Sequence, residues 1–336
     1  MKKNISIPTN PLNRFLDIYG GLTQTKNLFE HPSSLRFSTL TALSCEGDGL
    51  EVAHRIREKS EEIKTLTGWF GALNSPLRLI VSSILVLHGD SASDFLNEVN
   101  RVNEMFRKVQ LRKGGIYETM AILMLRLNNE LRPIEQNTVD RFKAIYEEMK
   151  NYHWWLTGPD DFPACAALCS IDKSITEIGS SIEAIYQALY SKGFSKGDPL
   201  QTAANLLYLS QLNTNEIASR YYNLSNGFKE KGVSIWQSDY DELAMLSFLD
   251  HEHQNIIDCV LKYRKHMKTL KPKPDVNITF NLASGLTFLE LIQVDQNNER
   301  IVDAKALIDM QSIIQAQQAA AAAAASSAAA ANAAST

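Results

Sequence analysis

The feature that most constrains this chain is a pattern that recurs at intervals of 37 to 46 residues. In each copy, a residue suited to a helix N-terminus precedes a short helix rich in alanine and leucine, and a longer, more charged helix follows. The short helices are predicted to start at Ser33, Ser75, Gly115, Asp161, Asp198, Asp239 and Asn277. Such spacing is typical of paired-helix repeats such as HEAT units.

The pattern predicts an all-α protein of about seven helical hairpins. Each hairpin can bury its apolar face only against a neighbour, so we expect an α-solenoid, which either stays open or closes toward an α/α ring. The longer helices fit this arrangement because each carries an apolar stripe opposite a charged face. Two such stripes are Phe95, Val99, Val102 and Phe106, and Val139, Phe142, Ile145, Tyr146 and Met149.

The two ends of the chain depart from this pattern. Residues 1–32 predict an N-terminal capping helix that is interrupted at Gly20-Gly21. The hairpin domain is then predicted over residues 33–314, and residues 315–336 are mostly alanine. Because alanine is the best helix former, we expect this tail to form a helix that frays toward its end.

Composition narrows the class of function. A net charge of -4 and a pI near 6.0 argue against a nucleic-acid partner, because proteins that bind nucleic acids usually have a marked excess of basic residues. The overall charge does not exclude a local basic patch. The sequence predicts neither a signal peptide nor a membrane span, and its four cysteines lack zinc-site spacing. We therefore expect a cytoplasmic protein with no cofactor, no bound metal and no membrane partner.

One loop stands out among the connections between helices. His153 is followed by Trp-Trp-Leu-Thr-Gly-Pro-Asp-Asp, in which glycine and proline must end one helix and begin another. In a hairpin array, the loops after the longer helices share one edge, so their side chains become neighbours. The candidate partner-binding residues on this edge, apart from its acidic residues, are Trp69, Arg112, Lys113, His153, Trp154, Trp155 and Trp236.

The tryptophans on this edge allow two interpretations. Exposed tryptophans would bind a protein or peptide, because this residue dominates the energetics of many interfaces. Buried tryptophans would instead pack the loops against the helices, and the usual burial of this residue favours that role. For His153, the charge of a helix C-terminus is a sufficient explanation, while a contact with a ligand stays open.

Four acidic candidates, Asp160, Asp161, Asp198 and Asp239, fall on the same predicted edge. Converging carboxylates could hold a divalent cation, which would make the protein a metal-assisted enzyme or a small-ligand binder with an acidic pocket in an α/α ring. The simpler interpretation is that these residues cap the helices that follow them. No nucleophile elbow or phosphate-binding loop accompanies them, so the sequence favours a binding or scaffold module and leaves enzymatic activity undecided.

Two segments and the alanine-rich end carry a resemblance. The first reads Trp-Leu-Thr-Gly-Pro-Asp-Asp-Phe-Pro-Ala from Trp155, and the second reads Arg-Lys-Gly-Gly-Ile-Tyr-Glu from Arg112. With these features the chain resembles, over most of its length, a family of bacterial, mainly Bacillus-type proteins known as domain of unknown function number four-thousand-three. The resemblance implies a bacterial, cytoplasmic origin and no particular mechanism.

Overall fold

A computed structural model of the protein describes residues 8–26, 30–67, 73 and 77–292. These residues form fourteen α-helices and contain no β-strand, which confirms the all-α prediction. They divide into two compact units, and the division falls between Leu96 and Asn97 along the chain. Trp69 and the alanine-rich tail lie outside the described residues.

The first unit contains four helices and the beginning of a fifth. They are α1 (Pro11–Gln24), α2 (Pro32–Thr41), α3 (Gly49–Thr67), α4 (Leu77–His88) and α5 (Ala92–Lys108), and α5 continues into the second unit. Asn10 begins α1, because its side-chain oxygen accepts a hydrogen bond from Asn13 N at 3.0 Å and Pro11 follows in the first helical position.

The predicted interruption of α1 at Gly20-Gly21 is wrong, because the helix runs through both glycines. Gly21 lies where α1 packs on α3, and a Cβ atom built there would come within 2.7 Å of Ala53 Cβ. The glycine therefore permits a close helix crossing, and the gain from that packing outweighs the poor helix propensity of glycine.

The second unit begins within α5 and contains nine further helices among residues 97–292. They are α6 (Ile116–Asn128), α7 (Gln136–His153), α8 (Phe162–Leu168), α9 (Ile175–Ser191), α10 (Asp198–Leu209), α11 (Thr214–Glu230), α12 (Tyr240–Ser247), α13 (His253–Met267) and α14 (Val276–Ile292). The even-numbered helices pack on one another in chain order, and so do the odd-numbered helices from α7 to α13. The unit thus has two layers of helices.

The helices of the two layers differ in how many of their residues are apolar and buried. Every residue of α8 and α12 is buried, whereas the odd-numbered helices bury one stripe each. The predicted stripe of α7, from Val139 to Met149, is buried throughout, as is the predicted stripe of α5. In this unit, the predicted starts of the short helices lie within one residue of the observed starts. N-terminal residue type and apolar periodicity were sufficient signals here.

An aromatic cluster fixes the first loop of the second unit to its helices. Phe142 stacks on Phe106 with ring centroids 4.9 Å apart and meets Phe162 edge-on at 5.5 Å. A Cβ atom at Gly114 would lie 3.0 Å from the Phe162 ring, so the loop before α6 can approach α8 only because residue 114 has no side chain.

No single described helix is long and apolar enough to cross a membrane. The helices α4 and α5 have the length and apolar composition of a span only when they are taken together, and they are bent by 110° relative to each other.

Candidate functional site

Five loops of the second unit follow odd-numbered helices, and we call them the aromatic rim. They are residues 109–115, 154–161, 192–197, 231–239 and 268–275. Each of the first four loops contacts the next loop or the helix that begins after it. Gly114 lies against Pro159, Gln201 Nε2 of α10 donates a hydrogen bond to Thr157 Oγ1 at 3.3 Å, Ser195 N donates to Tyr240 Oη of α12 at 3.2 Å, and Asn277 Nδ2 of α14 donates to Ser238 Oγ at 3.3 Å. The loops are therefore neighbours along one edge of this unit.

Three tryptophans of the rim are exposed. The exposed fractions are 72% for Trp154 and 65% for both Trp155 and Trp236. The expectation that such residues pack inside the array is wrong for these three. Other rings fill the space beneath the loops: Phe194, for example, is buried against Tyr221, with ring centroids 4.7 Å apart.

His153 anchors the tryptophan pair at its base. It is the last residue of α7, and its Nε2 lies 2.7 Å from Glu183 Oε2 on α9. Its ring meets Trp155 edge-on at 6.2 Å, and Trp155 in turn meets Trp154 edge-on at 5.9 Å. The position at a helix C-terminus agrees with the prediction, but the carboxylate partner comes from another helix and had no signal in the local sequence.

Two rim loops close on buried carboxylates. Asp161 Oδ2 accepts a hydrogen bond from Gly158 N at 3.0 Å, and Asp239 Oδ2 accepts one from Trp236 N at 2.8 Å. Each carboxylate thereby closes the 3-10 turn that precedes its helix, and neither side chain caps the helix that follows. The capping role predicted for these two residues is therefore wrong in its geometry.

Burial sets the protonation of these carboxylates. It raises the pKa of Asp161 to about 7, and the negative charges of Asp160 and Asp198 add to the rise, while hydrogen bonds from Gly158 and Gln201 oppose it. Burial also raises the pKa of Asp239. Asp198 stands exposed in the first turn of α10. Asp160, Asp161 and Asp198 thus lie close enough to interact, while Asp239 belongs to another loop.

The carboxylates do not assemble a metal centre in the part of the chain that the structure describes. No group of three histidine, cysteine, aspartate or glutamate residues among these residues is arranged to hold an ion. The predicted cationic pair lies in the first rim loop, where Arg112 and Lys113 are exposed. The Arg112 guanidinium lies near Tyr146, whose pKa is raised by burial against the opposing effect of that cation.

A small cavity beside His153 is lined by polar side chains that the sequence analysis did not predict as site residues. Its lining residues are Met149, Tyr152, His153, Gly179, Ile182, Glu183 and Gln201. Gln201 is buried, and its Nε2 donates to Thr157 Oγ1 and Asp161 Oδ1, both at 3.3 Å. Its Oε1 is buried and has no hydrogen-bond partner among the residues that the structure describes. A glutamine within the apolar run of α10 was the one local signal for this group.

The described residues form an all-helical protein, and the loops on one edge of its second unit expose three tryptophans. It belongs to the family described as "Protein of unknown function (DUF4003)", whose model matches residues 18–319, and this match confirms the resemblance drawn from the motifs. The chain is 27% identical over 267 residues to the uncharacterized protein YeaA of Bacillus subtilis (strain 168), with 79% of this chain and 78% of that protein covered. No solved structure matches the chain.

Proposed function

We propose that the protein is a non-enzymatic binding or scaffold module, which holds a protein or peptide partner on the aromatic rim. The observation that carries this proposal is the exposure of Trp154, Trp155 and Trp236 at 65% or more in loops of one edge. Large aromatic side chains are usually buried, and exposed apolar patches commonly mark interaction sites. Tryptophan contributes strongly when a partner covers it.

We further propose that the second unit is an α-solenoid of HEAT-like hairpins, in the cytoplasm of a bacterium. The layered packing of even-numbered on even-numbered and odd-numbered on odd-numbered helices supports this arrangement. Stacked hairpins present extended edges on which side chains distant in sequence can contact one partner. That property suits a scaffold better than an enzyme.

The test is a selection of peptides from a displayed random library on the immobilised full chain, followed by anisotropy measurements on the selected peptides. We expect Trp154→Ala/Trp155→Ala to weaken binding by about tenfold or more, because a covered tryptophan typically contributes about 2 kcal/mol or more. Leu50→Ala is the matched control, since Leu50 is an exposed apolar residue of the first unit. Equal binding by wild type and the double variant would overturn the proposal.

A second candidate, an enzyme or small-ligand binder, is favoured by one observation. The pKa of Asp161, raised to about 7 by burial, lies in the range that suits acid-base catalysis, and Gln201 joins it to the cavity beside His153. A thermal-shift screen with Mg²⁺, Mn²⁺, Zn²⁺ and polar metabolites tests this candidate. Stabilisation that disappears in Asp161→Asn would favour it, and the absence of any stabilisation would reject it.

A further inference from the structure

The two edges of the second unit carry opposite charge. Within residues 97–292, the five loops of the aromatic rim contain eight basic and four acidic residues. The loops of the other edge, which we call the opposite edge, are residues 129–135, 169–174, 210–213 and 248–252. They contain two basic and five acidic residues. The chain as a whole has a net charge of -4, so the rim is a local reversal of sign.

Burial makes this contrast stronger at the surface. Asp161 and Asp239, two of the four rim acids, are buried inside their own turns. All eight basic residues of the rim are exposed: Arg112, Lys113, Lys192, Lys196, Lys231, Lys268, Lys271 and Lys273. Among the loop residues, exposed cations therefore outnumber exposed acids by eight to two, although Lys231 Nζ lies 3.5 Å from Asp258 Oδ1 of α13. The excess of positive charge attracts an acidic partner over about 8 Å at physiological salt.

Two of the eight cations of the rim stand beside exposed aromatic rings. Lys196 Nζ lies 4.1 Å from the ring centroid of Tyr190, and Lys192 Nζ lies 5.0 Å from that of Tyr222. Both tyrosines are among the exposed large side chains of this unit. The rim therefore combines positive charge with exposed aromatic area, and a complementary ligand needs both carboxylates and apolar side chains.

We propose that the partner of the rim is an acidic peptide segment with interspersed aromatic or aliphatic side chains. Its carboxylates would pair with the rim lysines and arginine, and its apolar side chains would cover the tryptophans. This inference rests on the proposed binding function and specifies the chemistry of the partner.

An acidic peptide fits the rim better than a nucleic acid does. The exposed carboxylates of Asp160 and Asp275 interrupt the row of cations. A peptide can place a neutral residue at those points, whereas a phosphate backbone carries a charge at every nucleotide. Trp154 and Trp155 also stand at an interplanar angle of 90°, which offers no parallel platform for successive bases.

The experiment uses the full chain and labelled synthetic peptides in which Asp or Glu alternates with Leu or Phe. An isosteric peptide with Asn and Gln in place of the acids, a lysine version, an oligothymidylate and phosphatidylglycerol vesicles complete the set of probes. We expect the acidic peptide to bind most tightly and to lose affinity as salt rises from about 50 to about 300 mM. Tighter binding of oligothymidylate or of vesicles than of the acidic peptide would overturn the proposal.

Charge-reversal variants locate the binding surface. Lys192→Glu/Lys196→Glu and, in a different loop, Arg112→Glu/Lys113→Glu should each weaken binding of the acidic peptide by about tenfold, a loss of about 1.4 kcal/mol. Arg132→Glu/Lys173→Glu is the matched control, because both residues are exposed on the opposite edge. A loss of affinity in this control equal to that in the rim variants would overturn the proposal. Thermal unfolding of each variant separates lost binding from lost fold.

The outcomes separate this inference from the proposed function. If the amide isostere binds as tightly as the acidic peptide and its binding still requires Trp154 and Trp155, the rim is a peptide site and the inference about its partner is wrong. If no peptide binds in a manner that depends on these tryptophans, the proposed function fails as well.

Discussion

The two edges of the second unit use their charged residues in different ways. On the opposite edge, arginines of the odd-numbered helices hold the loops that follow the even-numbered helices. Arg101 donates a hydrogen bond to Ile134 O at 2.7 Å, Arg141 to Lys173 O at 2.9 Å, and Arg220 to Leu249 O at 3.2 Å. Each of these loops thereby has a backbone carbonyl bound by a charged donor from a neighbouring helix.

Two loops of the aromatic rim are closed by carboxylates instead. Asp161 and Asp239 accept hydrogen bonds from backbone N–H groups of their own turns and are themselves buried. Three loops of the opposite edge are thus held by arginines of other elements, whereas two turns of the rim are closed by their own buried aspartates. The comparison teaches that contacts between helices and loops hold one edge, whereas contacts within a turn close two loops of the other. The side chains of the exposed tryptophans of the rim take no part in these closing contacts, which agrees with the binding role proposed for them.

The largest expected effect concerns the buried carboxylates that distinguish the rim. Burial raises the pKa of Asp161 from 3.8 to about 7, so the folded state holds this proton more tightly than the unfolded state does. Wild type should therefore lose stability as pH rises from about 4 to about 7. In Asp161→Asn that loss should shrink by up to about 4 kcal/mol, measured as the free energy of unfolding in urea at several pH values.

Asp172→Asn, which changes an exposed carboxylate of the opposite edge, is the control for this measurement. Its difference from wild type should stay nearly constant over the same pH range. A constant difference between Asp161→Asn and wild type would show that the rim carboxylate is not buried as described.

The next effect concerns the arginines of the opposite edge. Arg141→Ala removes hydrogen bonds to Cys169 O and Lys173 O, at 3.2 and 2.9 Å. Because hydrogen bonds from a charged donor contribute more than neutral ones, we expect a loss of about 2 kcal/mol in the free energy of unfolding. Lys143→Ala on the same helix removes a side chain of similar length and one carbonyl contact, with Val109, and should cost less. An equal loss in both variants would remove the special role of the arginine.

A smaller effect is expected for the tryptophans, although they are the largest side chains of the rim. Removal of a buried tryptophan typically costs about 3 to 5 kcal/mol, whereas Trp154→Ala and Trp155→Ala should each cost less than about 1 kcal/mol because both rings are exposed. Phe162→Ala is the comparison, since Phe162 is fully buried beneath the same loop. Similar losses in all three variants would show that the tryptophans belong to the core.

The smallest effect is expected for single rim lysines. Lys196→Gln removes the cation from the ring of Tyr190 and should change the free energy of unfolding by about 0.5 kcal/mol or less, as for other exposed cation–π pairs. Thermal unfolding at low and high salt measures this change. A loss of stability as large as that of Arg141→Ala would show that the lysines of the rim stabilise the fold as much as the arginines of the opposite edge do.

Local sequence patterns were sufficient to predict much of the secondary structure. In the second unit, the predicted helix starts and the buried stripe of α7 agree with the structure. These features depend on residue spacing along the chain, and spacing is visible in sequence. The continuity of α1 was missed because it depends on the contact of Gly21 with Ala53, which are distant in sequence.

The candidate site was predictable only in part. The sequence named the tryptophans and acids of the rim as candidate binding residues, but it favoured burial for most of the former and capping for the latter. Which ring fills the space below a loop depends on packing among several helices, as it does for Phe162 and Phe194. The contacts of His153 with Glu183 and of Asp161 with Gln201 join different elements, so the sequence around either partner does not predict them.

By itself, the sequence determined which segments are helical and where each short helix of the second unit begins, because N-terminal residue preferences and apolar periodicity act within a few turns of one chain segment. Only the tertiary structure decided which side chains of the rim face solvent, which carboxylates are buried, and how charge is divided between the two edges. Burial and electrostatic interactions depend on every neighbour in space, and most of those neighbours lie far away along the chain.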